Sequence, residues 1–361
     1  MNWLAWRQHR KQFLVVGIIL ALFVAFMIPT GLNFWHTYQT ALSTCGKTDT
    51  CDQLNGELFQ SSIDGLLMHL VPVAIIFMPI LLGLFWGVPF LSKEYVDGTN
   101  KLVWTQSVSR RKWLSVKLIW VLVGAAIVAA GFAVLDTWWS KTGNALNLNR
   151  FTFLFFNTQG IVPVAYAIFA VSVGIMFGAW FRRTMVALGV TLGVLIAVVM
   201  VVVPNFIRPY YESPISYKSS LLSNTRINGI PVSNSSDTSG ATLVVSQATV
   251  DSKNQAINWA NPPSSCIVTH FPNGNPIIPS GHSKAVEASP TKAGGVAPIE
   301  SQNGGPPVSL DCLGSLGYQT DIKYQPSSRY WDFQRIETAL YLAASIIPIS
   351  VTYWLVLKRD A

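Results

Sequence analysis

The side chains that could do chemistry in this chain do not form a catalytic or metal-binding pattern. The five histidines are scattered along the sequence: His9, His36, His69, His270 and His282. None has the spacing to a second histidine or a cysteine that a metal site requires, and no Gly-x-Ser-x-Gly motif occurs. Gly46-Lys47-Thr48 ends like a phosphate-binding loop, but position 41, where that motif needs glycine, is Ala41. We therefore predict no enzyme active site, no metal and no nucleotide site.

Three ionisable residues, His69, Asp136 and Glu337, lie inside or at the edge of long apolar stretches. Ionisable side chains at membrane depth are costly and commonly functional. Each of the three lies near an end of its stretch, where lipid headgroups or water can reach it. Two interpretations stay open: a direct contact with a substrate, and an ordinary position at the membrane surface. An intramembrane enzyme, which needs ionisable groups deep in the apolar layer, is disfavoured.

The apolar stretches that position these residues are long enough to cross a membrane. Of the 361 residues, 50% are hydrophobic and 12% are charged, whereas a soluble domain carries about 25% charged residues. Six stretches contain no Asp, Glu, Lys or Arg: 13–35, 66–91, 118–135, 151–181, 184–204 and 338–357. Because about 20 apolar residues span a bilayer, we predict an all-α membrane domain of six transmembrane helices, spans 1 to 6. The alternative, buried helices of a large soluble core, is poor for six such stretches.

The fourth stretch, residues 151–181, is too long for one straight span. We expect residues 151–160 to form a separate interfacial or re-entrant piece before span 4. The first span is preceded by aromatic and basic residues, in the pattern of a helix lying in the membrane interface: Trp3, Leu4, Trp6, Arg7, Arg10, Lys11 and Phe13. Simple flanking anchors of span 1 are the alternative.

The distribution of charge gives the orientation. Four segments lie on the side of both termini: 1–12, 92–117, 182–183 and 358–361. Together they carry 13 basic and 3 acidic residues, and short basic segments mark the cytoplasm. We therefore predict a multi-pass plasma-membrane protein with both termini cytoplasmic and residues 205–335 extracellular. The net charge of +8 follows from this topology, so it does not indicate a nucleic-acid partner.

All four cysteines fall on the predicted outer side: Cys45, Cys51, Cys266 and Cys312. Four cysteines allow three pairings. The simplest is Cys45–Cys51 with Cys266–Cys312, because each bond then closes a loop within one segment. An oxidising exterior permits both bonds, and four free thiols are the alternative.

The outer segment 205–335 is rich in Ser, Asn, Gly and Pro and contains short β-like runs at 241–245 and 266–269. We expect a small, loop-rich, mostly β extracellular domain stapled by one disulfide. The chain then divides into residues 1–204 with the interfacial helix and spans 1–5, residues 205–335, and residues 336–361 with span 6 and a cytoplasmic tail.

The loop between spans 2 and 3 has the pattern of a short helix held between two turns. Gly98 permits a tight turn, Thr99 is a suitable N-cap for a helix over about residues 100–106, and Ser109 is a second candidate cap at the start of span 3. Three residues of the short helix share one face: Leu102, Val103 and Gln106. An ordinary loop whose basic residues follow the positive-inside rule is the alternative.

This loop resembles that of a known family. It reads Glu94-Tyr95-x-x-Gly98-Thr99, then Gln106-Ser107-Val108-Ser109-Arg110, with Lys117 in the following helix. The pattern resembles the loop between spans 2 and 3 in permease subunits of ABC transporters of the type-two exporter class, where it forms the coupling helix that docks on the ATPase. Those permeases also have six spans and an amphipathic N-terminal helix. The long segment 205–335 is a departure, since the family often has only a short re-entrant element there.

The resemblance implies an assembly and a set of coupling residues. Two permeases pair, two P-loop ATPase subunits bind ATP and Mg²⁺ below them, and substrate moves along the seam between the permeases. The coupling residues would be Glu94, Gly98, Thr99, Leu102, Val103, Gln106, Arg110, Arg111 and Lys117. Glu94 and Arg110 are expected to anchor the short helix, and its three same-face residues are expected to contact the ATPase.

Small residues one helical turn apart let spans approach closely. Three Gly-x-x-x-Gly pairs occur: Gly83 with Gly87, Gly174 with Gly178, and Gly189 with Gly193. They serve either contact between two permeases or packing within one bundle, and we expect the second for at least two of the three.

We therefore predict the permease subunit of an ATP-driven exporter, embedded in the lipid bilayer, with no ATPase site and no cofactor of its own. An amphipathic or apolar substrate fits a path lined by uncharged helices. The alternative from a different class is a membrane-anchored sensor or binding protein that captures a ligand with residues 205–335, without transport. A P-loop ATPase gene beside the gene of this chain would distinguish the two.

Overall fold

The structure is a computed structural model. It describes residues 2–45, 63–96, 109–141, 150–220, 226–227, 230–231, 243–267, 306 and 308–359. The chain divides into two compact units. One comprises Met1–Tyr211 with Ser327–Ala361, and the other comprises Glu212–Pro326. The first unit is helical, and the second contains the described strands.

Six helices among the described residues are long and apolar enough to cross a membrane, which confirms the predicted number. They are span 1 at Asn2–Cys45, span 2 at Ile63–Leu82 continued by Gly83–Gly87 and Val88–Val96, span 3 at Arg110–Trp139, span 4 at Val162–Phe181, span 5 at Thr184–Leu195 continued by Ile196–Ile207, and span 6 at Tyr330–Trp354 continued by Leu355–Arg359. The second piece of span 2 and the continuations of spans 5 and 6 are π-helical. In all six spans the backbone N–H and C=O groups form hydrogen bonds within the helix, as a chain inside lipid must. The length and composition of these helices make this a multi-pass membrane protein.

Span 1 is one continuous α-helix of 44 residues. The amphipathic start of the chain therefore runs into the first apolar stretch without a break in the helix. A helix this long exceeds the roughly 20 residues that cross a bilayer.

The apolar stretch 151–181 is divided, as its length predicted. A short helix covers Phe153–Thr158, a turn follows, and span 4 begins at Val162. Pro163 lies in the first turn of span 4, where its missing N–H costs no helical hydrogen bond.

Span 4 lies at the centre of the helical unit and packs against spans 2, 3, 5 and 6, while span 1 packs on span 3. Many large apolar side chains on the other helices point outward, among them Leu22, Ile127, Val134, Met185 and Ile347. Helices that face lipid expose many large apolar side chains of this kind, whereas a soluble monomer rarely exposes large apolar patches.

The second unit contains a three-stranded antiparallel sheet. Its strands are β1 at Ile215–Ser220, β4 at Leu243–Val250 and β5 at Gln319–Gln325, in the order β1-β5-β4; a short hairpin consists of β2 at Arg226–Ile227 and β3 at Ile230–Pro231. The register between β4 and β5 shifts between Val244 and Ser246, in the manner of a β-bulge.

A disulfide joins Cys266 to Cys312, whose Cα atoms are 5.4 Å apart. It holds the helix Leu310–Ser315 against the turn that ends at Cys266. Four buried residues form a small core around the bond: Ile257, Cys266, Val308 and Leu313. This is one of the two disulfides expected from the sequence. The other, Cys45–Cys51, lies outside the described residues, because Cys51 and the side chain of Cys45 are not among them.

Candidate functional site

Polar contacts in the helical unit concentrate at its two ends. We call basic end the region where residues 92–96, 109–117 and 182–184 meet, together with the end of span 6. We call far end the region where residues 136–141, 150–162, 205–211 and 327–337 meet. Both ends carry residues that the sequence singled out.

At the basic end, an ion pair joins the two helices that flank residues 97–108. Lys117 Nζ contacts a carboxylate oxygen of Glu94. The Lys117 side chain is 7% exposed, and its Nζ lies 4.7 Å from the ring centroid of Trp113 and 5.7 Å from that of Phe90. Aromatic rings attract an ammonium group through their negative faces. The pair therefore fixes the last turns of span 2 against the second turn of span 3.

The short helix predicted between these spans is not among the described residues. Five of the predicted coupling residues fall there: Gly98, Thr99, Leu102, Val103 and Gln106. Span 3 begins at Arg110, with Ser109 in extended conformation before it. Ser109 thus occupies the expected N-cap position, but in the described part of the chain its side chain makes no capping hydrogen bond. Its carbonyl oxygen accepts from Trp113 N at 3.1 Å, and Arg111 in the first turn is exposed.

Two contacts that the sequence did not predict tie span 2 to the turn between spans 4 and 5. The Arg182 guanidinium lies over the Tyr95 ring, with Cζ 5.0 Å from the centroid, and Ser92 Oγ is 3.1 Å from Thr184 Oγ1. Arg182 has a φ of 54°, which is uncommon for a residue other than glycine. Its left-handed backbone ends span 4 and directs the chain into span 5. The sequence signal was the basic pair between two apolar stretches, which gave orientation alone.

The far end contains a buried ion pair between Arg208, just after span 5, and Glu337 of span 6. Arg208 Nε donates to Glu337 Oε2 at 2.8 Å, and Nη2 donates to Oε1 at 2.7 Å. The side chains are 2% and 0% exposed. Nη2 also donates to Asn157 Oδ1 at 2.8 Å, and Cζ lies 4.0 Å from the centroid of Phe156. The two-point, charge-assisted pair joins the end of span 5 to span 6, and the Asn157 hydrogen bond adds the short helix Phe153–Thr158.

Tyr211 completes the surroundings of Glu337. Its hydroxyl donates to Glu337 Oε2 at 3.1 Å. Burial, and after it the Glu337 carboxylate, raise the pKa of Tyr211, so the hydroxyl keeps its proton and remains a donor. The sequence left open whether Glu337 contacts a substrate. In this structure its carboxylate is engaged by Arg208 and Tyr211.

Gln334 of span 6 docks the short helix Phe153–Thr158 and the turn after it. Its Oε1 accepts from the backbone N–H groups of Ile161 and Val162, each at 3.1 Å. Its Nε2 donates to the carbonyl oxygen of Phe156 at 3.0 Å. The amide of Gln334 thus satisfies backbone groups at both ends of the turn, which buried polar groups require.

Gly160 allows this close approach. Its φ of 72° lies in the left-handed region, and a Cβ there would be 2.7 Å from Gln334 Oε1. Its backbone N–H donates to Thr137 Oγ1 of span 3 at 3.3 Å. The turn after the short helix is therefore held by spans 3 and 6 together.

Asp136 also lies at the far end, in span 3. Its side chain is 0% exposed, and among the described residues neither carboxyl oxygen has a hydrogen-bond partner. The side chain of His69 lies outside the described residues. No group of three or more His, Cys, Asp or Glu side chains in the described part of the chain is placed to hold a metal ion.

The three glycine pairs have different surroundings. On span 2, a Cβ on Gly83 would lie 2.7 Å from the Ala170 carbonyl oxygen, and one on Gly87 would lie 2.7 Å from that of Val171. On span 4, a Cβ on Gly174 or Gly178 would meet the backbone of span 2. These two pairs therefore serve packing between spans 2 and 4. A Cβ on Gly189 or Gly193 of span 5 would have nothing within 4 Å.

Comparison with known proteins decides the family. The family described as ABC-2 membrane transporter related matches residues 17–208, which is more than half of the chain. This chain belongs to that family. The resemblance to ABC-2 type permeases seen in the loop after span 2 is thereby confirmed. The match covers span 1 from residue 17 onward, spans 2–5 and the Glu94–Lys117 pair, and it ends at Arg208. No curated protein and no solved structure matches the chain.

Proposed function

We propose that this chain is the permease subunit of an ATP-binding cassette exporter, energised by a separate P-loop ATPase that holds ATP and Mg²⁺. The observation that carries the proposal is the family match over residues 17–208. That match includes four whole spans, span 1 from residue 17 onward, and the whole connection 97–108, which is where an ATPase would dock. The basic end then faces the cytoplasm, and the second unit, with its disulfide, faces an oxidising exterior.

The geometry of the basic end supports the coupling part of the proposal. A segment that receives force from an ATPase must be attached stiffly to the spans that it moves. Separating a partly buried ion pair such as Lys117–Glu94, whose side chains are 7% and 19% exposed, costs about 1–3 kcal/mol when one charge is left without its partner. A push on residues 97–108 therefore moves the ends of spans 2 and 3 together.

The contacts of span 2 with the turn at Arg182 extend the same movement. Tyr95 follows Glu94 directly, so a displacement of the ion pair also displaces the ring under the Arg182 guanidinium. Ser92 adds a second link, to Thr184 at the start of span 5. We infer that force reaches spans 4 and 5 by this route and opens a path for an amphipathic or apolar substrate between two permeases.

Span 5 supplies the surface for pairing. The empty space around Gly189 and Gly193 lets a second helix approach closely, and we propose that span 5 of a second permease occupies it. The double variant Gly189→Leu/Gly193→Leu should convert purified dimer to monomer, as measured by light scattering with the detergent contribution subtracted. Gly17→Leu, which fills equally open space on span 1, is the control and should leave the dimer intact. An unchanged dimer in the double variant would place the interface elsewhere.

The coupling assignment is tested by charging the predicted docking face. Leu102→Asp with Val103→Asp should abolish co-purification of the P-loop ATPase that the wild-type chain retains, because two carboxylates would have to be desolvated against the ATPase. The permease itself should still be made and remain folded, as judged by monodisperse elution.

A matched control adds the same charge elsewhere. Val244→Asp with Leu316→Asp changes exposed apolar positions of the second unit and should leave the ATPase bound. Unchanged ATPase association in the Leu102/Val103 variant would exclude this docking face. Absence of any ATPase from both preparations and from the wild type would favour the membrane-anchored sensor.

A further inference from the structure

Two exposed cations at the basic end flank the contact between spans 2 and 5. Lys93 follows Ser92 in the last turns of span 2, and Arg183 precedes Thr184 at the start of span 5. The hydroxyl oxygens of Ser92 and Thr184 are 3.1 Å apart. This contact holds the two cationic residues on neighbouring helices at the same depth, and both side chains are exposed.

No carboxylate in the described part of the chain neutralises these two cations. Among the described residues of the basic end, Glu94 alone is acidic, and it contacts Lys117. Neither Lys93 nor Arg183 forms an ion pair with a described residue, and Asp97 lies outside the described residues. Like charges that are held close together repel each other. The packing of span 2 on span 5 is therefore favoured by an anion from outside the chain.

An exposed apolar row on span 2 leads from Lys93 into the membrane. Span 2 is mostly buried in the bundle, but Phe77, Leu81 and Phe85 are exposed at intervals of four residues. Lys93 is the next exposed residue after Phe85, which is 62% exposed, and the side chains between them are buried or half-buried. Phe85 lies about 12 Å along the helix from Lys93 at a rise of about 1.5 Å per residue. That distance is within one leaflet, which is about half of the roughly 30 Å hydrocarbon layer.

The combination of surface cations and an apolar row matches the two parts of one phospholipid. A free inorganic anion would neutralise the cations but would not cover Phe85. A zwitterionic lipid would cover Phe85, but its own cationic group offsets its phosphate. An anionic phospholipid supplies both a net negative charge and an acyl chain, and anionic lipids attract Lys and Arg at the membrane surface.

We propose that Lys93 and Arg183 bind the headgroup of an anionic phospholipid whose acyl chain lies along Phe85. The headgroup phosphate accepts charge-assisted hydrogen bonds from the ammonium and the guanidinium. Because one cation belongs to span 2 and the other to span 5, the bound lipid joins the two helices and cancels the repulsion between them. The anionic lipid content of the membrane then determines how firmly these spans stay together. The proposal holds whether or not an ATPase drives the chain.

Photo-labelling of the wild-type chain tests the site without any variant. The full chain is placed in phosphatidylcholine nanodiscs with a trace of phosphatidylglycerol that carries a photoreactive acyl chain, and adducts are mapped by mass spectrometry. The peptide that contains Phe85 should be labelled more strongly by this probe than by a phosphatidylcholine probe with the same acyl chain. The expected difference is about fivefold for each cation, and so about thirtyfold for two. Inorganic phosphate in the buffer should leave the labelling unchanged.

Two double variants separate this site from a general attraction to the basic end. Lys93→Gln with Arg183→Gln should reduce phosphatidylglycerol labelling of the Phe85 peptide to the level of phosphatidylcholine. The control, Lys112→Gln with Lys358→Gln, removes two other exposed cations of the same end. It should change the labelling by less than about twofold, because salt screens exposed charges that do not adjoin the headgroup. Phosphatidylglycerol should also raise the unfolding temperature of the wild type and of the control, but not that of the Lys93/Arg183 variant.

Three results would overturn the proposal. One is equal labelling of the Phe85 peptide by the two probes in the wild type, which would show an ordinary lipid contact. Another is an equal loss of labelling in the two double variants, which would show attraction to the whole basic end. The third is displacement of the probe by inorganic phosphate, which would make a free anion the ligand.

Discussion

Removing Glu337 should destabilise the helical unit far more than removing both partners of its ion pair. In Glu337→Ala, the Arg208 guanidinium stays buried without its carboxylate, and Tyr211 loses its acceptor. Breaking one side of a buried pair costs about 3–5 kcal/mol. Arg208→Met should lose a similar amount of stability, because the Glu337 carboxylate then stays buried and, among the described residues, keeps the hydrogen bond from Tyr211.

The double variant Arg208→Met/Glu337→Leu removes both charges. Replacing a buried pair by apolar side chains is often neutral or stabilising by about 1–4 kcal/mol. Here the gain is offset because Asn157 and Tyr211 lose their partners, at about 1–3 kcal/mol each. The double variant should therefore be more stable than either single variant.

The assay is unfolding of the purified protein in mixed micelles, titrated with SDS and followed by tryptophan fluorescence. The exposed pair Asp332–Arg335, with side chains 51% and 73% exposed, gives the control within span 6. Its removal should cost about 0–1 kcal/mol. If the double variant loses as much stability as the two single variants added together, the two side chains are not coupled, and the reasoning about this pair is refuted.

Three further predictions concern other parts of the molecule. Lys117→Met keeps an apolar side chain against Trp113 but leaves Glu94 unpaired, so SDS unfolding should show a loss of about 1–3 kcal/mol in the free energy of unfolding. The control Lys93→Met, at an exposed position, should lose less than about 0.5 kcal/mol. Equal losses in the two variants would contradict the ion pair. Gly174→Ala should cost about 1–3 kcal/mol by forcing spans 2 and 4 apart, while Gly17→Ala, in open space on span 1, should be neutral or stabilising. A reversed order in the same assay would place span 4 elsewhere. Cys266→Ser removes the disulfide between residues 46 positions apart, and loop entropy predicts a loss of stability of about 4 kcal/mol. Backbone hydrogen exchange should rise in β4 and β5 but not in the spans. Unchanged exchange in those strands would show that the disulfide does not support the sheet.

The spans could be predicted from the sequence because a membrane-spanning helix is determined mainly by local features of its own stretch of sequence. It satisfies its backbone hydrogen bonds internally, so the length of an uncharged apolar stretch is nearly sufficient. The division of residues 151–181 followed from the same length argument. The continuation of span 1 from Asn2 to Cys45 could not be predicted this way, since helical structure beyond the apolar stretch depends on local propensity and not on hydropathy.

The contacts at the far end could not be predicted, because they depend on tertiary position. Arg208 and Glu337 are 129 residues apart in the sequence, and Arg208 follows the fifth apolar stretch closely enough to look like an ordinary outer charge. Gln334 gave no signal either, although its amide joins span 6 to the short helix. Asp136 and Glu337 were selected together as shallow ionisable residues. Only the structure shows that one has partners and the other has no described partner.

The second unit was predictable in part. The β-like run at 241–245 overlaps β4 at Leu243–Val250, whereas the run at 266–269 begins in the turn Ser264–Cys266. Strand β5 has polar side chains at most positions, so it lacks the apolar alternation that identifies a half-buried strand.

The most direct test of the central claim is site-specific photo-crosslinking at the predicted docking face. A photoreactive amino acid at Val103 in the membrane-embedded chain should form an adduct with a P-loop ATPase, identified by mass spectrometry, and the same amino acid at Leu316 should not. An ATPase adduct at Val103 alone is the result expected of an exporter permease coupled through this segment. An ATPase adduct at Leu316, or none at Val103 in a complex that still retains the ATPase, would contradict it.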